Sequence, residues 1–120
     1  MALNARRAVL LGALLALVPA TVAAHSLLLE ATPAADALLS GPPTEIALRF
    51  NNRVEKRLCT ILLVDTRGER LRAEVRADGP ADRVNAVAPA LGPGTWRLEW
   101  RVLSTDGHVV TGRFSFRVAP

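Results

Sequence analysis

The chain has 120 residues, half of them hydrophobic, with a formal net charge of +4 and a single cysteine. This length accommodates one domain, and a lone cysteine excludes an internal disulfide framework. The sequence contains no tyrosine, which excludes tyrosine-based catalysis. The arginines alternate with acidic residues instead of forming runs, so the charge does not predict a nucleic-acid partner.

The first 24 residues have the pattern of a secretory signal peptide. Arg6 and Arg7 form a positive segment, an apolar run over 8–18 follows, and small residues stand at 22–24. This run is shorter than the about 20 residues that span a bilayer, so we expect a removed signal; a retained membrane anchor is the alternative. Cleavage after Ala24 leaves residues 25–120 as the mature domain, and cleavage after Ala23 is a second option.

The mature part predicts short strands separated by turns rich in proline and glycine. Residues 44–50, 95–102 and 113–118 alternate between apolar and polar, as strands with one buried and one solvated face do. Six or seven such strands predict an all-β sandwich of two sheets or a small barrel. Residues 34–39 are compatible with a helical turn, but Pro33 and Gly41 leave it little room. Weaker strand candidates are 26–31, 71–75 and 84–87. All the aromatic residues are expected on the core faces or next to them: Phe50, Trp96, Trp100, Phe114 and Phe116.

Cys59 lies in an apolar, strand-like run over 58–64. A buried thiol that packs as a small hydrophobic group is the preferred interpretation. The alternative is a soft metal ligand.

Two histidines occur in the chain, and both have unusual positions. His25 directly follows the predicted cleavage site, so the mature chain would begin with it. A histidine at a free N-terminus offers its α-amine and its imidazole Nδ1, which close a six-membered chelate ring on a metal. His108 lies between two predicted strands, two residues after Asp106, and the two side chains share a face if the segment is extended.

Together these residues would supply three nitrogens and one carboxylate oxygen, a set that suits the tetragonal preference of Cu(II). Because Asp106 and His108 lie at the solvent end of strands, we expect alanine at either position to weaken copper binding with little effect on folding. Two other functions are open. One is a copper oxygenase with a histidine brace, and the other is a sandwich used for protein contacts, with incidental histidines.

Several segments of the mature chain resemble the CopC family of periplasmic copper-binding proteins. The resemblance implies an immunoglobulin-like Greek-key β-sandwich of about seven strands. It also implies one Cu(II) per chain, bound by the N-terminal amine and by the side chains of His25, Asp106 and His108. The segments that carry the resemblance are Ala-His-Ser at 24–26, Ala-Thr-Pro-Ala at 31–34, Leu-Arg-Phe at 48–50, 100–108 and 111–114.

The resemblance further implies a non-enzymatic role in copper tolerance, storage or delivery, beside an inner-membrane copper transporter of the CopD type. Two features depart from the family pattern. Some members bind Cu(I) through a methionine-rich segment, whereas the one methionine here is Met1, which leaves a Cu(II)-only type. Similar proteins often carry a glutamate after the early phenylalanine, and the matching position here is Asn52, which brings no charge.

Overall fold

The computed structural model describes residues 27–120, so the predicted signal peptide, its cleavage site and His25 lie outside the described residues. The described part forms nine strands and one short 3₁₀ helix, Lys56–Leu58, and it contains no helix with the length and apolarity needed to cross a membrane. The strands are β1 (Leu28–Thr32), β2 (Leu38–Leu39), β3 (Glu45–Phe50), β4 (Thr60–Val64), β5 (Arg70–Arg72), β6 (Glu74–Val75), β7 (Arg83–Val87), β8 (Gly94–Leu103) and β9 (Val109–Val118).

The strands build two sheets that pack face to face. One sheet has the order β1-β3-β7-β6 and the other the order β2-β9-β8-β4-β5. Consecutive long strands such as β3 and β4, or β7 and β8, lie in different sheets, as expected for a Greek-key sandwich. The predicted all-β sandwich is confirmed. The described residues form nine strands where about seven were predicted, because β2 and β6 are pairs of residues too short for a periodic signal.

The alternation of the long strands places their apolar residues between the sheets, as predicted. Phe50, Trp96 and Leu98 are buried, and Trp100 and Phe114 are partly buried against the same core. The opposite positions of β8 and β9 are mostly charged or polar and face solvent. The sandwich is therefore organised by a period of two along its strands.

Two weaker predictions differ from the structure. Residues 71–75 are not one strand: Arg70–Arg72 belongs to one sheet and Glu74–Val75 to the other, and the buried Ala73 lies where the chain crosses between them. Residues 34–39 form a turn and then β2 rather than a helical turn. The reason is that the backbone N–H of Arg117 donates to the carbonyl of Ala37, so that this segment pairs with β9 in parallel.

Cys59 is buried, and its Sγ lies 3.2 Å from the carbonyl oxygen of Glu55, to which the thiol donates. Burial raises the pKa of the thiol, because the thiolate would lose its hydration. These features agree with the preferred interpretation of Cys59 as a buried core group.

The ladder between β8 and β9 depends on one glycine of the segment 111–114. Trp100 pairs with Gly112 across the two strands, and its ring occupies the space above the glycine. A Cβ atom at Gly112 would lie 2.0 Å from Cζ2 of Trp100, far inside van der Waals contact. The glycine therefore leaves room for the tryptophan, and the ladder continues to Leu103 and Val109 at its end.

Candidate metal centre

A tight hairpin loop joins β8 to β9. The backbone N–H of Gly107 donates to the carbonyl of Ser104 at 3.0 Å, and the N–H of Ser104 donates to the carbonyl of His108 at 3.0 Å. Gly107 has a φ of 84°, the left-handed region that glycine adopts without a steric cost. A turn followed by a left-handed glycine is a common three-residue hairpin connection. The sequence Asp-Gly thus fixes the backbone of this loop locally.

The carboxylate of Asp106 is the centre of the loop's polar contacts. Its Oδ1 accepts hydrogen bonds from the backbone N–H of His108 at 3.0 Å and from the hydroxyl of Ser104. Its Oδ2 lies 3.0 Å from Nδ1 of His108. The His108 side chain first, then the Ser104 hydroxyl and the His108 backbone, hold the pKa of Asp106 well below its usual value. The carboxylate is therefore ionised at neutral pH.

Asp106 and His108 lie together, but not for the predicted reason. The prediction assumed an extended segment with both side chains on one face. The segment is instead a turn with a left-handed residue between the two, and the carboxylate folds back onto the imidazole. The side chain of His108 is 66% exposed and that of Asp106 24% exposed, so the pair is accessible from solvent. The predicted extended backbone is therefore wrong, whereas the carboxylate and the imidazole do lie close together.

Leu27, the first described residue, is hydrogen-bonded to Asn51, which directly follows β3. The backbone N–H of Leu27 donates to Oδ1 of Asn51 at 2.7 Å, and the backbone N–H of Asn51 donates to the carbonyl of Leu27 at 3.0 Å. Asn51 thus binds both backbone polar groups of the residue that stands two positions after His25. We call this pair of hydrogen bonds the Asn51 clamp.

The segment that carries the Asn51 clamp also reaches the hairpin. Val54 forms an antiparallel bridge with Ser104, and the N–H of Glu55 donates to the carbonyl of Leu103 at 3.1 Å. Two residues, 52 and 53, therefore separate the contact of Asn51 with Leu27 from the contact of Val54 with the base of the hairpin. The start of β1 and the loop 104–108 consequently lie at the same end of the sandwich.

From the sequence, Asn52 is the residue considered at this position, whereas the structure shows that Asn51 makes the contact. Asparagine is frequent where chains turn, because its side chain binds nearby backbone groups. The partner here lies 24 residues away in the sequence, however, and a local pattern does not identify such a partner. The clamp becomes visible only once β1 and β3 are paired.

The described residues supply two of the three predicted ligand residues. No group of three or more His, Cys, Asp or Glu side chains with metal-site geometry occurs within residues 27–120. An imidazole and an ionised carboxylate are nevertheless a donor pair that Cu(II) accepts. The pair lies at the end of the sandwich where the chain arrives from His25, which itself is outside the described range.

The fold and the hairpin define a small two-sheet β-sandwich that carries a carboxylate–imidazole pair at one end. The family model for the CopC domain matches residues 28–119. The chain belongs to the CopC family. Membership confirms the resemblance drawn from the sequence, and it makes this chain a member of a copper resistance and copper transport family for which copper binding is implied.

Known proteins resemble this chain over most of its length. Copper resistance protein C of Pseudomonas syringae pv. tomato is 32% identical over 110 residues, which cover 85% of this chain and 86% of that protein. The crystal structure of CopC from Methylosinus trichosporium OB3b has a TM-score of 0.73 at 35% identity and covers 80% of this chain and 95% of that one. The copper transport protein CutJ of Bacillus subtilis (strain 168) is 26% identical over 107 residues, which cover 87% of this chain but 20% of that protein.

Proposed function

We propose that the mature chain, residues 25–120, is a periplasmic protein that binds one Cu(II) ion. The proposed ligands are the α-amine and imidazole of His25, the carboxylate of Asp106 and the imidazole of His108. The observation that carries this proposal is the Asp106–His108 pair, with 3.0 Å between Oδ2 and Nδ1, at the end of the sandwich where the chain enters β1. The Asn51 clamp supports it, because it holds Leu27 at that same end.

Each donor group makes a different contribution to the proposed copper site. The two nitrogens of His25 would close a chelate ring, while Asp106 adds a negative charge and the imidazole of His108 a further nitrogen. This mixture suits the geometry of Cu(II), which also lies at the top of the divalent affinity order. Asp106 is ionised at neutral pH, so it binds the metal without releasing a proton, whereas the α-amine must lose its proton to bind. Acid therefore weakens binding, since protons compete with copper for the amine and the imidazoles.

We infer that the site is selective for Cu(II) over Cu(I). Cu(I) prefers soft sulfur ligands. The one methionine of the chain is Met1, inside the predicted signal peptide, and the thiol of Cys59 is buried with a raised pKa. The residues that support a Cu(I) site are thus absent from the mature sequence or held in the core.

The proposed role is to store copper or hand it on, without catalysing a reaction. A copper oxygenase needs an open coordination position at the metal. In the proposed site the Asp106 carboxylate would occupy such a position. A membrane copper transporter of the CopD type is the proposed partner, and the predicted signal peptide would export the chain to the compartment where that transporter takes up copper. CutJ supports the partnership, since that copper transport protein contains a segment similar to this chain as one fifth of its length.

Titration of the purified mature chain with each oxidation state of copper tests the proposal. We expect one Cu(II) per chain and no Cu(I) complex that survives competition with a Cu(I) chelator. A Cys59→Ala variant is the control, because it removes the remaining sulfur and should leave both results unchanged. A failure to bind Cu(II), or a tight one-to-one Cu(I) complex, would contradict the proposal. The intact mass of the exported protein reports the cleavage site in the same preparation.

A further inference from the structure

The outward faces of the two sheets differ in their charges. On the sheet that contains β1 and β3, acidic and basic side chains alternate and form ion pairs. Arg49 lies 2.8 Å from Glu30, and Arg76 lies 3.2 Å from Glu45. This face is therefore close to electrically neutral.

The outward face of the other sheet carries six arginines and, on its described strands, one acidic residue, Glu99. Their buried neighbours, such as Leu98 and Phe116, point into the core, so alternation directs the charged positions to solvent. Asp36, Asp65 and Glu69 lie in turns at the margins of the sheet. We call this surface the arginine face; its members are Arg70 and Arg72 of β5, Arg97 and Arg101 of β8, and Arg113 and Arg117 of β9.

Most of the positive charge on the arginine face is uncompensated. Glu99 lies 2.9 Å from Arg97 and 3.9 Å from Arg70, so its charge is shared between these two. Within residues 27–120, the other four arginines of the face form no ion pair. Like charges on neighbouring strands repel one another and oppose folding. An external anionic partner would remove that repulsion.

A shallow depression of about 560 Å³ lies on the arginine face and opens to solvent. Its lining includes Arg101, Arg113 and Glu99, with the smaller side chains of Thr60 and Thr111. The charge of Glu99 is already shared with Arg97 and Arg70, so the two lining arginines remain in excess. Arg101 pairs with Thr111 and Arg113 with Glu99, so the two arginines are diagonal neighbours, about 7–8 Å apart at Cα. Two guanidinium groups at this spacing can both hydrogen-bond one phosphate, since each offers a planar fork of N–H donors.

We propose that the arginine face binds the surface of an anionic lipid bilayer, with lipid phosphates between Arg101 and Arg113. The charges spread across β5, β8 and β9 of one sheet, and so broad a basic surface complements the extended negative surface of a bilayer. The loop 104–108 lies at the end of β8 and β9, so a molecule bound by its sheet face keeps the candidate metal centre uncovered at the edge.

Sedimentation with lipid vesicles tests the proposal, using the mature chain without copper so that the outcome does not depend on the metal site. We expect binding to vesicles of mixed phosphatidylglycerol and phosphatidylcholine, and none to phosphatidylcholine alone. An arginine near an anionic surface contributes about a fivefold gain in partitioning, so Arg101→Gln combined with Arg113→Gln should weaken binding about 25-fold. Added salt should weaken it as well, because the interaction is screened.

The matched control is Arg76→Gln with Arg83→Gln, which removes the same charge from the opposite sheet and should change binding far less. If Arg101→Gln with Arg113→Gln does not fold, Arg72→Gln with Arg117→Gln provides the same comparison on exposed positions of the face. Equal losses in the two pairs, or no binding to anionic vesicles, would overturn the proposal. Binding to an acidic protein domain but not to vesicles would overturn it too, in favour of a protein partner.

Discussion

Two segments meet at the end of the sandwich that carries the Asp106–His108 pair, and they are held in different ways. The hairpin 104–108 is held by contacts within itself, since Asp106 binds Ser104 and His108 and Gly107 closes the turn. The N-terminal segment is held from outside, because Leu27 depends on Asn51 after β3. The hairpin half of the proposed centre is therefore preformed by local sequence. In our proposal the other half follows a tertiary contact at Leu27 and is completed by removal of the predicted signal peptide.

Removal of a hairpin ligand should have the largest effect. We expect His108→Ala to weaken Cu(II) binding more than about 100-fold, beyond the about 10- to 100-fold typical of residues that only orient a ligand. Asp106→Ala should weaken it comparably and should also lower the thermal stability of the copper-free chain, because Asp106 organises the loop. Competition titrations and thermal unfolding separate the two effects. Losses of only a few fold in both variants would show that the pair is not part of the site.

This expectation revises the one drawn from the sequence, in which neither alanine substitution affected folding. The revision applies to Asp106, whose carboxylate receives hydrogen bonds from three donors in the loop. His108 remains a mostly exposed side chain, so we expect its removal to leave the unfolding transition nearly unchanged.

Ser104→Ala should have an intermediate effect. Ser104 is 1% exposed and is not a proposed ligand, but its hydroxyl donates to Asp106. Without that bond, the carboxylate would be less well oriented, and we expect about tenfold weaker Cu(II) binding with a loss of about 1 kcal/mol in the free energy of unfolding. Thr105→Ala, an exposed change in the same loop, is the matched control. An unaltered copper affinity in Ser104→Ala would mean that the hairpin does not need this bond.

Substitution of Asn51 should have the smallest effect, since it leaves every proposed ligand in place. We expect Asn51→Ala to weaken Cu(II) binding several fold and to broaden the copper electron paramagnetic resonance spectrum, because His25 would sample more positions. Asn51→Asp keeps an acceptor for the N–H of Leu27 and should restore binding. Asn52→Ala is the neighbouring control. If Asn51→Ala destabilised the fold without any change in the copper spectrum, the clamp would be structural only.

The same contrast explains which features the sequence predicts. Alternation along β8 and β9 identifies the buried residues, because a period of two is a local property of a strand. The Asp106-Gly107 step marks the turn for a similarly local reason. The Asn51 clamp and the charge contrast between the two sheet faces depend on strands that are distant in sequence, so they appear only in the folded chain.

Strand pairing also determines the surface charge of each sheet and the packing of Gly112, which local sequence patterns do not predict. The arginines are spaced among acids along the chain, so the sequence does not predict a nucleic-acid partner. The pairing of β5, β4, β8 and β9 nevertheless gathers six arginines on one face of the described sandwich. Gly112 belongs to a segment that carries the family resemblance, but its packing role depends on the strand pairing, which places it under Trp100.

The proposed copper site requires a mature N-terminus at His25, and a comparison of two chains that differ by one N-terminal residue tests this requirement. Cu(II) affinity and electron paramagnetic resonance spectra would be measured for a chain that begins at His25 and for one that begins at Ala24. The extra residue converts the amine of His25 into an amide and so removes the chelate ring. We predict three nitrogen donors in the shorter chain, and a changed spectrum with at least about 100-fold weaker binding in the longer one. Identical affinities and spectra would show that the N-terminal amine of His25 is not a copper ligand.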